Sequence, residues 1–439
     1  MRGTELPIGV RSLGMWTCDT PAVGISEAAA APAEADDRCP ACGERVAHDP
    51  GFTPWCPSCD WNLTPGAPSV AASDSDRRAR RAERRADALA AARAEGQRDP
   101  SAWQRVLALV LSLCVHSLTA VIALFGLWVA VVTYPAWIGL AVAVLIGLLA
   151  FVVRPRVGRV RDLDQRLDRA DAPELYALLD SIATKLGAPP VAAVRITPAF
   201  NASYQAVGWR RRGVVTIGYP LWLVLDPSGR VGLLAHEVAH EVNGDATHGW
   251  VIGSALATLA EWFRVLVPPV ARGRMSVSDL VLHGIAALAR SMARAIHALT
   301  VRSTAHAEYR ADELAAGVAG TEAVLSVLRT LSVEPIVRHV VNQTAFHPEV
   351  DIWRSVKATV ERLPAQQRIR LQRAGAARGD RIDDTHPRND RRLAAVEVEM
   401  REPQVILDAT TSASLDRELA NDAARLQRTI RNLITGRAG

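Results

Sequence analysis

The run Leu233-Leu-Ala-His236-Glu237-Val-Ala-His240-Glu-Val242 decides how this chain reads. Its pattern predicts a helix over Leu233–Val242. Residues four apart on a helix share a face, so His236 and His240 can chelate one Zn²⁺ while Glu237 stands beside the metal-bound water. Zinc lowers the pKa of such a water to about 7, which leaves Glu237 to take its proton as general base and to pass it to a leaving amine.

A catalytic zinc site needs a third protein ligand and an open fourth position. A histidine ten residues beyond His236, as in the metzincin pattern, is excluded: that position is Ala246, and Asn243 stands where the pattern needs glycine. A glutamate about twenty residues downstream, followed four later by an aspartate, is the thermolysin-like alternative. Glu261 has the distance but is followed four later by Val265, whereas Glu308-Tyr-Arg-Ala-Asp312 has the internal spacing. Glu308 is therefore the expected third ligand and Asp312 the carboxylate that supports the site from behind.

Upstream of the zinc run the sequence predicts a helix over 173–186, a strand over Val191–Ile196 and two alternating strands, Tyr204–Gly208 and Gly213–Gly218, around an arginine-rich turn. Downstream, helical patterns dominate. Trp250–Val267 pairs Glu261 with Arg264. Leu280–Val301 carries a polar stripe of His283, Arg290, Arg294 and His297, which points to an interfacial or cavity-lining helix rather than a lipid-surrounded span. The fold class expected is α+β, a mostly helical gluzincin-type domain over 160–400 followed by a helical tail over 401–439.

Further toward the N-terminus, no charged residue occurs from Val106 to Val132, nor from Ala136 to Val153. Both runs suit a hydrocarbon core that takes about 17 to 25 helical residues. They predict a transmembrane hairpin over 103–154. Arg77, Arg78, Arg80, Arg81, Arg84 and Arg85 precede it, within a charged linker over 65–102, and Arg154, Arg156, Arg159 and Arg161 follow it. The connecting turn has none, so both ends are expected in the cytoplasm. His116, inside the first run, is expected to be a packed or hydrogen-bonded helix residue.

Cys39-Pro-Ala-Cys42 and Cys56-Pro-Ser-Cys59 are separated by thirteen residues. Four thiolates at this spacing predict a closed structural zinc site, and a ribbon of residues 38–64 needs such a staple to fold. Two zinc ions per chain follow, one catalytic and one structural. Residues 1–37 read as a disordered leader without the apolar core of a signal peptide.

The balance of 51 Lys+Arg against 46 Asp+Glu is mildly basic, and Lys185 and Lys357 are the only lysines. No basic face with interleaved aromatic residues is visible, so no nucleic-acid partner is expected.

Taken in order, these pieces resemble the HtpX-like membrane zinc metallopeptidases, relatives of the CAAX prenyl proteases and of mitochondrial quality-control peptidases. The resemblance rests on Asn201-Ala202, the strand Val214–Ile217, the zinc helix through Asn243-Gly-Asp245, the Glu308–Asp312 motif, and Thr385-His386-Pro387 with Arg392. It covers roughly residues 162–396. Arg388 stands where the family usually has a second proline.

The resemblance implies that Asn201, Ala202, Val214, Val215, Thr216 and Ile217 form an edge to which extended substrate adds. It also implies that His386 and Arg392 lie near the developing oxyanion, and that Asn243 and Asp245 support the ligands. The expected function is a multi-pass cell-membrane endopeptidase acting on membrane or misfolded proteins, with catalytic domain and ribbon in the cytoplasm. CAAX-type processing of a lipidated peptide is the nearest alternative. A membrane-tethered zinc-ribbon adaptor without catalysis is the alternative from another class; Glu237 in register with two histidines argues against it.

Overall fold

The computed structural model describes residues 38–46, 52–64, 102–154, 160, 165–243, 245–266, 277–377 and 387–436. The expected leader 1–37, nearly all of the charged linker 65–102, and Thr385 with His386 lie outside the described residues, as does the side chain of Asp245.

The two uncharged runs are helices α1 (Ala102–Thr133) and α2 (Trp137–Val153), packed against each other as a hairpin. Among the described residues, Trp103–Thr133 is the one helix long and apolar enough to cross a membrane by length and composition. The 17 residues of α2 rise about 25 Å at 1.5 Å per residue.

A four-stranded sheet follows, formed by β1 (Arg166–Leu167), β2 (Ala193–Thr197), β3 (Ala202–Val207) and β4 (Arg212–Gly218), with α3 (Pro173–Leu186) between β1 and β2. The order is β1-β2-β4-β3. β4 pairs in parallel with β2, Ala193 opposite Val214 and Thr197 opposite Gly218, and antiparallel with β3, Ala202 opposite Ile217. Hence β4 is interior, and Val214, Val215 and Ile217 are fully buried, as a strand covered on both faces requires. This corrects the expectation that Val214, Val215, Thr216 and Ile217 form a free edge: both sides of β4 are already hydrogen-bonded. The outer strand on that side is β3, which begins at Ala202 and exposes Ser203 and Gln205.

After α4 (Tyr219–Val224) comes the zinc helix α5 (Pro227–Val242), which begins six residues before the expected start. Asp226 caps it by accepting from the Gly229 N–H at 2.7 Å, and Pro227 occupies the first turn, where no N–H is needed. Helices α6 (Asp245–Leu266) and α7 (Val277–Ala319) pack on each other and on α1. Ala108 and Val115 of α1, Ile252, Ala255 and Leu259 of α6, and Ala289 and Ile296 of α7 form a satellite core. Arg290, Arg294 and His297 of the expected polar stripe face outward, away from it. His116 meets Ser254 Oγ at 3.1 Å and the Val251 carbonyl at 3.4 Å.

The main core is completed by α8 (Thr321–Leu331), α9 (Glu334–Thr344), α10 (Ile352–Glu361), α11 (Ala365–Ala377), α12 (Asn389–Val396), α13 (Ala409–Glu418) and α14 (Ala420–Ile434). The segment expected as a helical tail is part of this core. Leu407, Leu415, Leu426 and Ile430 are buried in it, and the buried Arg230 of α5 reaches Ser412 Oγ at 2.8 Å and Asp416 at 2.9 Å.

The four cysteines close the ribbon and the ribbon sits on α11. Gln367 Nε2 donates to the Thr53 carbonyl at 3.0 Å, Arg370 Nε to that of Leu63 at 3.1 Å, and Arg373 pairs with Asp60 at 3.0 Å. Spaced by three residues, these side chains share one helical face. Phe52 of the ribbon packs against the main core.

Helix α5 passes so close to α8 that a Cβ at Gly232 would stand 2.8 Å from the Ala323 carbonyl oxygen, whereas one at Gly253 meets nothing within 4 Å. Gly232→Ala is therefore expected to destabilise the protein by about 1–3 kcal/mol, as overpacking does. Gly253→Ala should leave the melting temperature unchanged or raise it. Thermal melts of both variants compare the two sites, and equal melting temperatures would contradict the close α5–α8 contact.

Candidate metal centre

Three helices build the site. α5 presents His236 and His240 one turn apart, and α7 presents Glu308 and Asp312, also one turn apart, from the stretch that packs on α5. The imidazole Nε2 atoms of His236 and His240 are 3.3 Å apart. Glu308 lies 3.4 Å from the first and 3.6 Å from the second. Tetrahedral zinc with bonds of about 2.0–2.1 Å sets its donor atoms about 3.4 Å apart. The donor set fits such an ion in both chemistry and spacing. Glu237, on the same helix, is buried beside it.

Behind the donors stands a buried ion pair. His236 Nδ1 donates to Asp312 at 2.9 Å, which turns Nε2 toward the shared point. Arg392 of α12 clasps Asp312 with two bonds, 2.8 Å from Nε and 2.7 Å from a terminal nitrogen, and its other terminal nitrogen lies 3.3 Å from Glu308. Burial opposes charge on Arg392, but Asp312, then Glu308 and Glu237, outweigh it and push its pKa above the usual arginine value. Burial likewise opposes ionisation of Asp312, and Arg392 and His236 hold its pKa below the ordinary carboxylate value. Burial lowers the pKa of His236, while the hydrogen bond and charge of Asp312 and the carboxylate of Glu308 more than compensate, raising it to about 10.

The structure brings Arg392 into the site: its buried guanidinium is engaged by Asp312 and Glu308, and one terminal nitrogen lies 3.4 Å from His236 Nε2. It positions both carboxylates beside the donors. Asn243 caps α5 and donates to the Ala307 carbonyl at 3.2 Å, which ties the end of the zinc helix to the residue before Glu308. Asn201 accepts from the Gly218 N–H at 2.8 Å and so holds the entry to β3 against the end of β4. One contact was not anticipated from the sequence. The carboxylate of Glu241 on α5 stands close to Tyr204 of β3, whose pKa is raised by burial and then by that carboxylate. Glu241 directly follows His240, a position that periodicity alone does not distinguish from a solvent-facing helix residue.

In the ribbon, the Sγ atoms of Cys39 and Cys59 are 3.6 Å apart and those of Cys42 and Cys56 are 3.5 Å apart; all four lie within 4.8 Å of one another. Zn–S bonds of about 2.3 Å in a tetrahedron require sulfurs about 3.8 Å apart. Burial raises the Cys56 thiol, but the backbone N–H groups of Cys59 and Ser58 and the Cys42 thiol bring it down to about 7, whereas Cys42 is raised and Cys59 is pushed up to about 12, so Cys56 is the thiol that ionises first. Among the described residues these are the two clusters able to hold a metal ion.

A helix-borne His-His-Glu donor set with a buried Asp behind it defines a metallopeptidase-type centre. Comparison with known proteins makes this specific: the model of peptidase family M48 matches residues 169–400, and the chain belongs to that family. Similar curated proteins are named Protease HtpX. That of Stutzerimonas stutzeri is 31% identical over 149 residues, 32% of this chain and 51% of that protein. That of Pseudomonas putida is 27% identical over 147 residues (32% and 50%), and that of Acinetobacter baylyi 28% over 149 (32% and 50%). The chain spans about half the length of these relatives. No solved structure matches.

Asp312→Asn is expected to weaken zinc binding about 10–100-fold, measured by competition with a fluorescent chelator. Because a proton and the ion compete for His236 Nε2, affinity should rise with pH below about 10, with proton release on binding seen as a buffer-dependent heat. A pH-independent affinity would contradict the role given to His236.

Proposed function

We propose that this chain is a membrane-anchored, zinc-dependent endopeptidase of gluzincin type, with His236, His240 and Glu308 as ligands and Glu237 as general base. The observation that carries the reading is the convergence of three donors at tetrahedral spacing beside the buried Glu237. Zinc bound there would polarise a water and the scissile carbonyl. Glu237 would accept the proton of that water and return it to the departing amine. Asp312 holds His236 in the tautomer that binds, and Arg392 keeps Asp312 ionised while lying against Glu308. The outer strand β3 is the edge to which an extended peptide would add by backbone pairing, and its Tyr204–Glu241 contact fastens that edge to the zinc helix.

The domain plan of ribbon, linker, hairpin and peptidase domain, now continuous with residues 401–436, is supported by the docking of the ribbon on α11. A module that precedes the hairpin touches a helix that follows it, so both ends of the hairpin would lie on one side of the bilayer. The arginines beyond each end favour the cytoplasm. Substrates would be membrane or misfolded proteins that present an extended segment.

Glu237→Gln tests the chemistry. Hydrolysis of an unfolded protein substrate by the reconstituted full chain should fall about 10²–10⁴-fold with the catalytic zinc retained. Unchanged hydrolysis would remove Glu237 from the mechanism.

A further inference from the structure

The four-residue turn between β3 and β4 carries Trp209, Arg210 and Arg211, and Arg212 opens β4. Trp209 is 78% exposed, and all three arginines are exposed. No carboxylate occurs from Val207 to Gly213. The tip thus presents an open indole followed by exposed cations.

The Trp209 ring stands edge-on to that of Trp250, centroids 6.0 Å apart. Trp250 precedes Val251, whose carbonyl, with the Ser254 hydroxyl, meets His116 of α1. The tip therefore lies beside α1 near His116.

Here α1 loses its buried face. Trp103, Val106, Val110 and Leu113 are exposed on its outer side, while Gln104, Ala108, Ser112, Val115 and Thr119 form a buried face that ends just past His116. Beyond it Gly126, against Ile146 of α2, is the one buried residue of α1, and Val121, Leu124, Phe125, Leu127, Trp128, Val131 and Val132 are exposed. That is where the hairpin leaves the protein. Tryptophan is enriched at the level of lipid headgroups, and basic side chains near an anionic leaflet gain about 1 kcal/mol each.

We propose that the β3–β4 tip is a headgroup-binding element for anionic phospholipid, with Trp209 in the interface and Arg210 and Arg212 on lipid phosphates. It is a membrane contact separate from the α1–α2 hairpin. By holding the far end of β3 at the bilayer, it keeps the open edge beside the zinc helix facing the surface from which membrane substrates emerge. This rests on the reading of the hairpin as membrane-embedded.

The test uses the full chain in vesicles of phosphatidylcholine with or without phosphatidylglycerol. p-Benzoylphenylalanine replaces Trp209, Val131 or Val398 in separate preparations, and lipid adducts are counted by mass spectrometry. Val131 reports on the hairpin, and Val398, 84% exposed in the turn that follows α12, is the control for random contact. Adducts are expected at 131 and 209 and not at 398. The adduct at 209 should fall at least about 30-fold when Arg210→Glu and Arg212→Glu are combined, the loss of two charges at about 1 kcal/mol each at about 1.4 kcal/mol per tenfold, and persist with lysine at both positions. Adducts at 131, with those at 209 no more frequent than at 398, would overturn the proposal alone. An adduct at 209 indifferent to charge and to phosphatidylglycerol would overturn the anionic-headgroup assignment. No adduct at 131 would remove the membrane reading and the proposal with it.

Discussion

The contact on which the rest of this structure depends is the one between Asp312 and His236, 2.9 Å long and shut away from solvent. A carboxylate buried alone costs several kcal/mol, and removing one partner of a buried pair typically costs 3–5 kcal/mol. Arg392 offsets that cost with two short bonds. Three helices distant in sequence must therefore meet in one register: α5 with the histidines, α7 with Glu308 and Asp312, and α12 with the arginine. Gly232 lets α8 press against the back of α5, and Asp226 starts α5 so that His236 falls on the inward face. The packing of the core and the aim of the ligands answer to the same constraint.

The second organising contact is remote from the site. The ribbon docks on α11 through Gln367, Arg370 and Arg373, two of which are buried. These donors read backbone carbonyls of the ribbon, so their fit depends on its loop conformation, which the four cysteines set. A small module that could have been a flexible appendage is thus joined to the catalytic body across the hairpin between them. The same hairpin leaves the protein near His116, where α1 stops packing on α6 and α7.

What could be read in the sequence was the part encoded at short range. His236 and His240, Glu308 and Asp312, and the paired cysteines each lie within one turn or one knuckle, where spacing alone implies a shared face. The uncharged runs were legible for a similar reason. Contacts spanning long stretches of chain were not. The family resemblance makes Val214–Ile217 an edge strand, yet the parallel pairing with Ala193–Thr197 places it inside the sheet and moves the edge to β3. Arg392 drew attention only through the family resemblance, and spacing gave no hint that its partner is Asp312, 80 residues away. Leu415 and Leu426 had helical spacing without any signal that they join the main core.

The central claim is that two separate, preformed donor sets each hold one zinc ion. Metal content of the purified full chain tests it directly. The account predicts two zinc ions per chain, one after His236→Ala or after Cys56→Ser, and none when both are made. A single zinc in the unaltered chain, or no loss with His236→Ala, would contradict it.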